Sequence, residues 1–396
     1  MKVIVRQGDT PLYYSQLFNI PLALILESNH ELGTEHLPSG QHISIPGYVK
    51  HVVKLGNGGS FWRIATQYQL PLDVLSLMNP ELDPYHLRDG DAVFIPIRIT
   101  KPIIKIKQPY DYQAMIKDMK RLSVVYPFIR QQVVGHSVLE KKILELQIGH
   151  GQKRLHINGS FHAREWITTP IIMMFLNEYL LALTNRLTLR GLSMAPFYEE
   201  TTLSAVPMVN VDGVDLVIHG ADAAQNHKEK VLKLNDGKTD FSQWKANIRG
   251  VDLNDQYPAG WDIEQQRRRQ SPGPADYPGE FPLSEPEARV MAELTKQRGF
   301  ERIIALHTQG EELYWGFEKK EPSEAEAIAR EFARMSGYKA IQYVDSYAGY
   351  KDWFIHEWRK PGFTIELGHD SHPIPLSQFD EIYQKTLGIF LANFYM

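Results

Sequence analysis

The chain has 396 residues and not one cysteine. Disulfides, thiolate nucleophiles and cysteine-ligated zinc are therefore excluded, and any metal site has to be built from histidine and carboxylates. Net charge is scarce too: 43 Lys and Arg stand against 47 Asp and Glu, a formal balance of −4. Such a balance argues against a mainly electrostatic grip on nucleic acid or on an anionic membrane. Long apolar runs are missing. The longest, from Pro170 to Leu183, is broken by Asn177 and Glu178 and is too short and too polar to span a bilayer. Nor does the N-terminus show an apolar core followed by a small-residue cleavage site, so no secretory signal peptide is seen and cytoplasmic synthesis is expected. The rest is ordinary: 43% hydrophobic and 23% charged residues exclude disorder and coiled coil, and the length suggests two or three domains.

The first hundred residues repeat themselves. Gly8, Ile20-Pro21-Leu22, Asn29, Glu31-Leu32, Leu37, Gly40 and Pro46 recur 50 positions later as Gly58, Leu70-Pro71-Leu72, Asn79, Glu81-Leu82, Leu87, Gly90 and Pro96. Each unit opens and closes on alternating apolar residues, the strand period, and carries helical spacing between them. This predicts a small βααβ module used twice, over residues 1–47 and 48–97. Gly8-Asp9-Thr10, Ile20-Pro21, Asn29 and Gly40 with Ile43-Ser44-Ile45-Pro46 resemble a LysM domain. The resemblance implies binding of N-acetylglucosamine-containing glycan. Since acidic residues outnumber basic ones in the pair, such binding would rest on hydrogen bonds and apolar contact. Residues 98–109, rich in Lys and Ile between prolines, are expected to be a linker.

From residue 110 onwards strand-like runs alternate with longer helical patterns, which predicts an α/β domain with a parallel or mixed sheet. The strand candidates are 154–158, 202–209, 302–306 and 362–367; the helix candidates are 113–126, 169–184, 284–298 and 323–336. Ser284-Glu285-Pro286-Glu287 predicts a capping box at the start of the third helix. Sites gather where strands of such sheets end, and three features fall there. His162-Ala163-Arg164-Glu165 follows the first strand, His307 directly follows Leu306, and Glu366 sits inside an apolar strand where a carboxylate is costly to bury without a partner. His162, Glu165 and His307 would supply three ligands and leave a fourth zinc position open for water. Glu366 would take the proton from that water and deliver it to a leaving amine.

These pieces resemble the zinc carboxypeptidases, the carboxypeptidase A-like metallopeptidases, over residues 110–396. His162-Ala163-Arg164-Glu165-Trp166, Val209-Asn210-Val211-Asp212-Gly213, Gly250-Val251-Asp252-Leu253-Asn254, Tyr277-Pro278-Gly279, His307, Asp352-Trp353 and Glu366 follow in the family's order. The resemblance implies an α/β sandwich around a mixed eight-stranded sheet, one Zn2+ per chain on His162, Glu165 and His307, and Glu366 as general base. It also implies that Lys245 stands where the family has an oxyanion-stabilising arginine, although an exposed lysine beside Trp244 is an open alternative. Tyr347 is the candidate for the family's mobile tyrosine, with Tyr343 and Tyr350 as competitors.

One departure bears on specificity. The family follows its G-V-D-L-N segment with an arginine that holds the substrate's terminal carboxylate, whereas this sequence has Asn254-Asp255-Gln256. An aspartate repels a carboxylate, so ordinary C-terminal trimming does not fit. Two LysM-like units ahead of such a domain resemble the peptidoglycan-acting members of the family from spore formers, which cut between γ-D-glutamate and meso-diaminopimelate or L-lysine in stem peptides. Asn254 and Asp255 would then bind substrate, with Asp255 meeting an ammonium group, and the resemblance would place action in a sporulating cell or spore envelope. A carboxypeptidase acting on muropeptides or peptides is the alternative within enzymes, and a non-catalytic glycan-binding envelope protein is the alternative outside them; the intact His162, Glu165, His307 and Glu366 set argues against the latter. The run Arg267-Arg268-Arg269 reads as a solvated loop. No G-x-S-x-G occurs, and Gly56-Asn57-Gly58-Gly59-Ser60 lacks the lysine of a phosphate loop.

Overall fold

The computed structural model describes residues 1–32 and 37–396. They divide into two units. Residues 1–103, 119–130 and 177–194 form one, and residues 104–118, 131–176 and 195–396 the other.

In the first unit each repeat is a two-stranded antiparallel sheet with two short helices between its strands. Strand Lys2–Ile4 pairs with His42–Ser44 around helices Pro11–Phe18 and Leu22–Glu27. Strand Tyr48–Lys54 pairs with Ala92–Arg98 around helices Phe61–Tyr68 and Leu72–Met78. The βααβ expectation holds in both. Thr10 and Ser60 cap the first helix of each repeat by accepting from the backbone N–H of Tyr13 and Arg63. The repeated asparagine has a clear physical task. Asn29 donates to the carbonyls of Ile25 and Ser44 and accepts from the Ser44 N–H; Asn79 does the same with Leu75 and Phe94. One side chain thus ties the second helix to the closing strand. Two stretches from beyond the repeats group with them through polar contacts: the Arg98 guanidinium donates to the Thr184 carbonyl at 2.6 Å and to Asn185 Oδ1 at 2.9 Å, and the Gly47 N–H donates to the Val125 carbonyl.

The second unit is built on an eight-stranded mixed sheet. Its strands run, in spatial order, Lys339–Ile341, Glu312–Tyr314, Gly362–Glu366, Arg302–His307, Lys153–Asn158, Thr201–Val206, Lys142–Ile148 and Arg130–His136. The four strand candidates are the four central strands. All four are mutually parallel, and they read as apolar runs because both faces are covered. The four helix candidates form as Tyr112–Val125, Thr168–Asn185, Pro286–Arg298 and Glu324–Ser336. Helix Thr168–Asn185 belongs to a stretch apolar and long enough to cross a membrane by those criteria alone, yet most of it is buried inside the fold.

The capping box at the third helix does not form. Glu285 occupies the cap position without a side-chain bond, and Ser284 Oγ turns instead to Gln256 Oε1 at 3.1 Å. Glu287, the expected closing partner, is buried, with Oε1 accepting from the Val138 N–H at 3.2 Å and Oε2 lying 3.4 Å from Asn247 Nδ2. Tertiary partners have outcompeted the local one.

Candidate metal and catalytic site

The site lies at the C-terminal ends of three adjacent parallel strands, where side chains leave the sheet and helices begin. His307 ends one strand, and Glu366 ends its neighbour as His307's direct register partner. On the other side, strand Lys153–Asn158 gives way to a tight turn. Ser160 adopts a left-handed backbone there (φ 52°), held by its N–H donating to Thr168 Oγ1 and by its Oγ against Thr169 Oγ1 at 2.8 Å. The short helical turn Ala163–Glu165 follows and brings His162 and Glu165 back over the strand ends.

The Asn210–Gly213 segment secures this turn. Asn210 Nδ2 donates to the carbonyls of Phe161 and Ala246, and its Oδ1 accepts from the Gly213 N–H. Any Cβ at Gly213 would lie 2.8 Å from the Ala163 Cβ and 2.5 Å from Asn210 Oδ1, so glycine is required by close approach.

His162, Glu165 and His307 meet as the sequence predicts. His162 Nδ1 lies 2.8 Å from Glu165 Oε1, His307 Nδ1 lies 3.0 Å from Glu165 Oε2, and the two Nδ1 atoms are 3.2 Å apart. All three residues are buried. Ligand atoms bound at about 2.0–2.1 Å with tetrahedral angles stand about 3.3 Å from one another, so this donor set is pre-spaced for a small divalent cation. One such cation would satisfy all three lone pairs, which no single proton does. Burial works against the Glu165 charge, but the two imidazoles outweigh it and hold its carboxyl well below the usual range.

Behind His162 stands Asp252, fully buried, with Oδ1 3.2 Å from His162 Nε2 and Oδ2 2.8 Å from Lys245 Nζ. A carboxylate on the far nitrogen fixes a ligand histidine's tautomer and ring orientation. In the sequence Asp252 stands only as part of the G-V-D-L-N segment; its burial is the property that sequence does not display. Lys245 is not an exposed lysine. Its side chain is mostly buried, anchored by Asp252 and by Asp276 at 3.0 Å. Burial disfavours its charge, but Asp252, Asp255 and Asp276 prevail and raise its pKa.

Glu366 is partly buried, and desolvation, reinforced by the Glu165 charge and opposed by His307 and Lys245, pushes its pKa up to about 7. That places it near the value a general base needs at neutral pH.

Asn254 Oδ1 accepts from the Tyr350 N–H at 3.2 Å. Asp255 is almost wholly buried, with Oδ2 3.4 Å from Arg268 Nε. Of the arginine run, Arg267 and Arg269 are exposed, as the solvated reading expects, and Arg268 alone departs from it. Arg267 pairs with Asp345 at 2.8 Å and lies over the Tyr347 ring, and Arg268 turns inward because helix Trp261–Arg267 aims its last turn at Asp255. Tyr347 packs against Arg267 and Phe317; its competitors are otherwise engaged, Tyr343 with Glu321 at the surface and Tyr350 with Thr295 in the core.

Comparison with known proteins agrees with this geometry. A family model described as zinc carboxypeptidase matches residues 115–388, and one described as LysM domain matches residues 3–46 and 51–96. The chain is 53% identical, over the whole length of both, to gamma-D-glutamyl-L-diamino acid endopeptidase 1 of Lysinibacillus sphaericus. It is 23% identical to rat carboxypeptidase B over 65% of this chain and 63% of that protein. Among solved structures, bovine thrombin-activatable fibrinolysis inhibitor superposes with a TM-score of 0.57 at 18% identity, covering 72% of this chain and 96% of that one. Carboxypeptidase A from Helicoverpa armigera gives 0.56 at 16% identity, covering 83% and 80%. At these identities the structural likeness concerns the fold.

Proposed function

Since the chain belongs to the zinc carboxypeptidase family, we propose that it hydrolyses the bond between γ-D-glutamate and meso-diaminopimelate or L-lysine in peptidoglycan stem peptides, while the LysM pair holds the glycan. The observation that carries this reading is the convergence of His162, Glu165 and His307 beside Glu366, with a buried aspartate in the neighbouring turn where trimming of C-termini calls for an arginine. The full-length relationship to an endopeptidase named for γ-D-glutamyl-diamino acid bonds supports the choice of substrate.

His162, Glu165 and His307 would hold one zinc ion, which supplies Lewis acidity toward the scissile carbonyl and toward water. Glu366 accepts the proton of the attacking water and returns it to the nitrogen of the leaving diamino acid. Lys245, its ammonium fixed by Asp252 and Asp276, provides positive charge for the oxygen that becomes an oxyanion, as a point charge and not a two-pronged fork. Asp252 keeps the His162 ring in place. With its acceptor used on the Tyr350 N–H, Asn254 offers its amide N–H groups to substrate, and Tyr347 is the candidate for the mobile tyrosine. Tethering the peptide's own glycan raises the local substrate concentration.

Digestion of L-Ala-γ-D-Glu-diaminopimelate, read by mass spectrometry beside the protein's zinc content, tests the proposal. Release of L-Ala-D-Glu is expected, and Glu366→Gln should keep zinc and lose cleavage. On the same peptide extended by a C-terminal D-Ala, removal of that D-Ala alone would establish a carboxypeptidase instead; protein without zinc or cleavage would leave a binding role.

A further inference from the structure

Arg268 is anchored at one end and free at the other. Its Nε lies 2.7 Å from Glu264 Oε1 and 3.4 Å from Asp255 Oδ2, so two carboxylates fix the root of the guanidinium. Neither terminal nitrogen, Nη1 nor Nη2, has a hydrogen-bond partner among the described residues, and a third of the side chain is exposed. A guanidinium fixed in this way presents a rigid two-pronged donor, the geometry that matches a carboxylate.

Asp255 is its complement. The residue is 4% exposed, and neither side-chain oxygen accepts a hydrogen bond among the described residues; Oδ2 is fully buried in that state. Burial, with the Asp252 charge beside it, pushes this carboxyl well above the usual range, so its charged form is costly until a cation meets it. The pair belongs to the reacting centre through a short chain: Asp255 follows Asp252 in one helical turn, and Asp252 touches both Lys245 and His162. The sign inversion at position 255 is thus answered by a cation from another element. The result is a dipolar pair, an unmet acceptor beside an unmet donor fork.

A pair of that kind matches a group carrying ammonium and carboxylate on one carbon. We propose that Asp255 and Arg268 together receive the amino-acid head at the far end of a diaminopimelate side chain, and that Arg268 thereby selects diaminopimelate over lysine, which ends in ammonium alone. The proposal rests on the reading that the scissile bond joins γ-D-glutamate to a diamino acid. Asp255 takes the ammonium common to both residues, and Arg268 takes the carboxylate that only diaminopimelate has.

The test compares kcat/KM for L-Ala-γ-D-Glu-meso-diaminopimelate, its side-chain carboxamide and L-Ala-γ-D-Glu-L-Lys, using zinc-loaded wild type, Arg268→Gln and Arg268→Lys. Wild type should favour the diaminopimelate peptide at least tenfold over both others, the scale of one lost charge-assisted pairing. Arg268→Gln should erase that preference, mostly through KM, with Arg268→Lys between. Equal losses on all substrates, or a wild type indifferent to carboxamide formation, would overturn the assignment while leaving the endopeptidase intact. Binding of the same three peptides to Glu366→Gln, measured by calorimetry, gives a second ranking that does not need turnover. Peptides bound with the expected ranking but left uncleaved by wild type would sink the proposed reaction and keep the pair; peptides neither bound nor cleaved would sink both.

Discussion

Glu287 offers a sharp test of how the loop that carries Asp252 is supported. The residue is fully buried, and desolvation, with the negative charges of Asp212 and Glu285 nearby, pushes its carboxyl from an ordinary 4.5 up to about 8. Asp212 is raised as well, chiefly by burial, and shares the site with Lys141 at 3.4 Å. A carboxyl whose pKa rises on folding favours the folded state only while protonated. Its contribution is complete below pH ~4.5, the unfolded value, and is lost as pH climbs through about 8, the folded one. The shift of roughly 3.5 units, at ~1.4 kcal/mol each, sets an upper bound of about 5 kcal/mol on that loss. Glu287→Gln keeps the shape and cannot ionise, so its stability should be flat over this range as far as this site is concerned. Denaturant unfolding of both proteins at pH 5 and pH 8 measures the effect. Near pH 5 the two should be similar, and at pH 8 the variant should be the more stable by several kcal/mol. A stability difference between the two proteins that does not change with pH would refute the reasoning. The same titration reaches the catalytic side through Asn247, which bonds Glu285 Oε2 at 2.7 Å and accepts from the Val251 N–H one residue before Asp252.

Other outcomes follow from the same geometry. Asp252→Asn should weaken zinc affinity about 10–100-fold in a competition titration while the fold persists, because His162 loses the carboxylate that orients it. Glu366→Gln should lower kcat by about 10²–10⁴-fold on a soluble stem peptide with zinc content unchanged by elemental analysis. Asn79→Ala should destabilise the second repeat by about 2–3 kcal/mol, since the Phe94 N–H and two carbonyls lose their partner; hydrogen exchange at Phe94 reports it. Asp73→Ala severs the bridge from Arg6 in the first repeat to the second, and, being partly exposed, should cost no more than about 1 kcal/mol while lowering affinity for insoluble glycan in a pull-down.

The central strands were legible because burial on both faces turns them into continuous apolar runs, and the helices because their periodicity is strong. The outer strands were not. Glu312–Tyr314 and Lys339–Ile341 have three residues each, too few for any period, and Arg130–His136 at the other edge is largely polar and exposed. The metal ligands were readable since an H-x-x-E turn and a strand-end histidine advertise themselves at the ends of predicted strands. Lys245 could be placed but not its burial, which depends on Asp276 arriving 31 positions later in sequence. The inward contact of Arg268 is hidden from sequence for the same reason. A run of three arginines looks like solvated charge until the fold delivers Asp255, and only the Glu264 contact four residues earlier is local. Glu287 is the converse case, a local signal for a cap that the core put to another use.

The register between His307 and Glu366 sets a fixed ruler in the active centre. Adjacent strands stand about 4.8 Å apart, a spacing set by backbone hydrogen bonds and indifferent to side chains. One ligand and the base are therefore mounted on a frame that cannot stretch, whereas His162 and Glu165 sit on a turn held by Ser160, Asn210 and Asp252. Substituting a larger divalent ion would have to be absorbed by that turn, not by the sheet. Likewise, the excursion between His307 and Gly362 can gain or lose residues without altering the separation of ligand and base, provided that the strand re-enters in step. A slip of one residue would present Ile365 or Leu367 where the proton acceptor belongs.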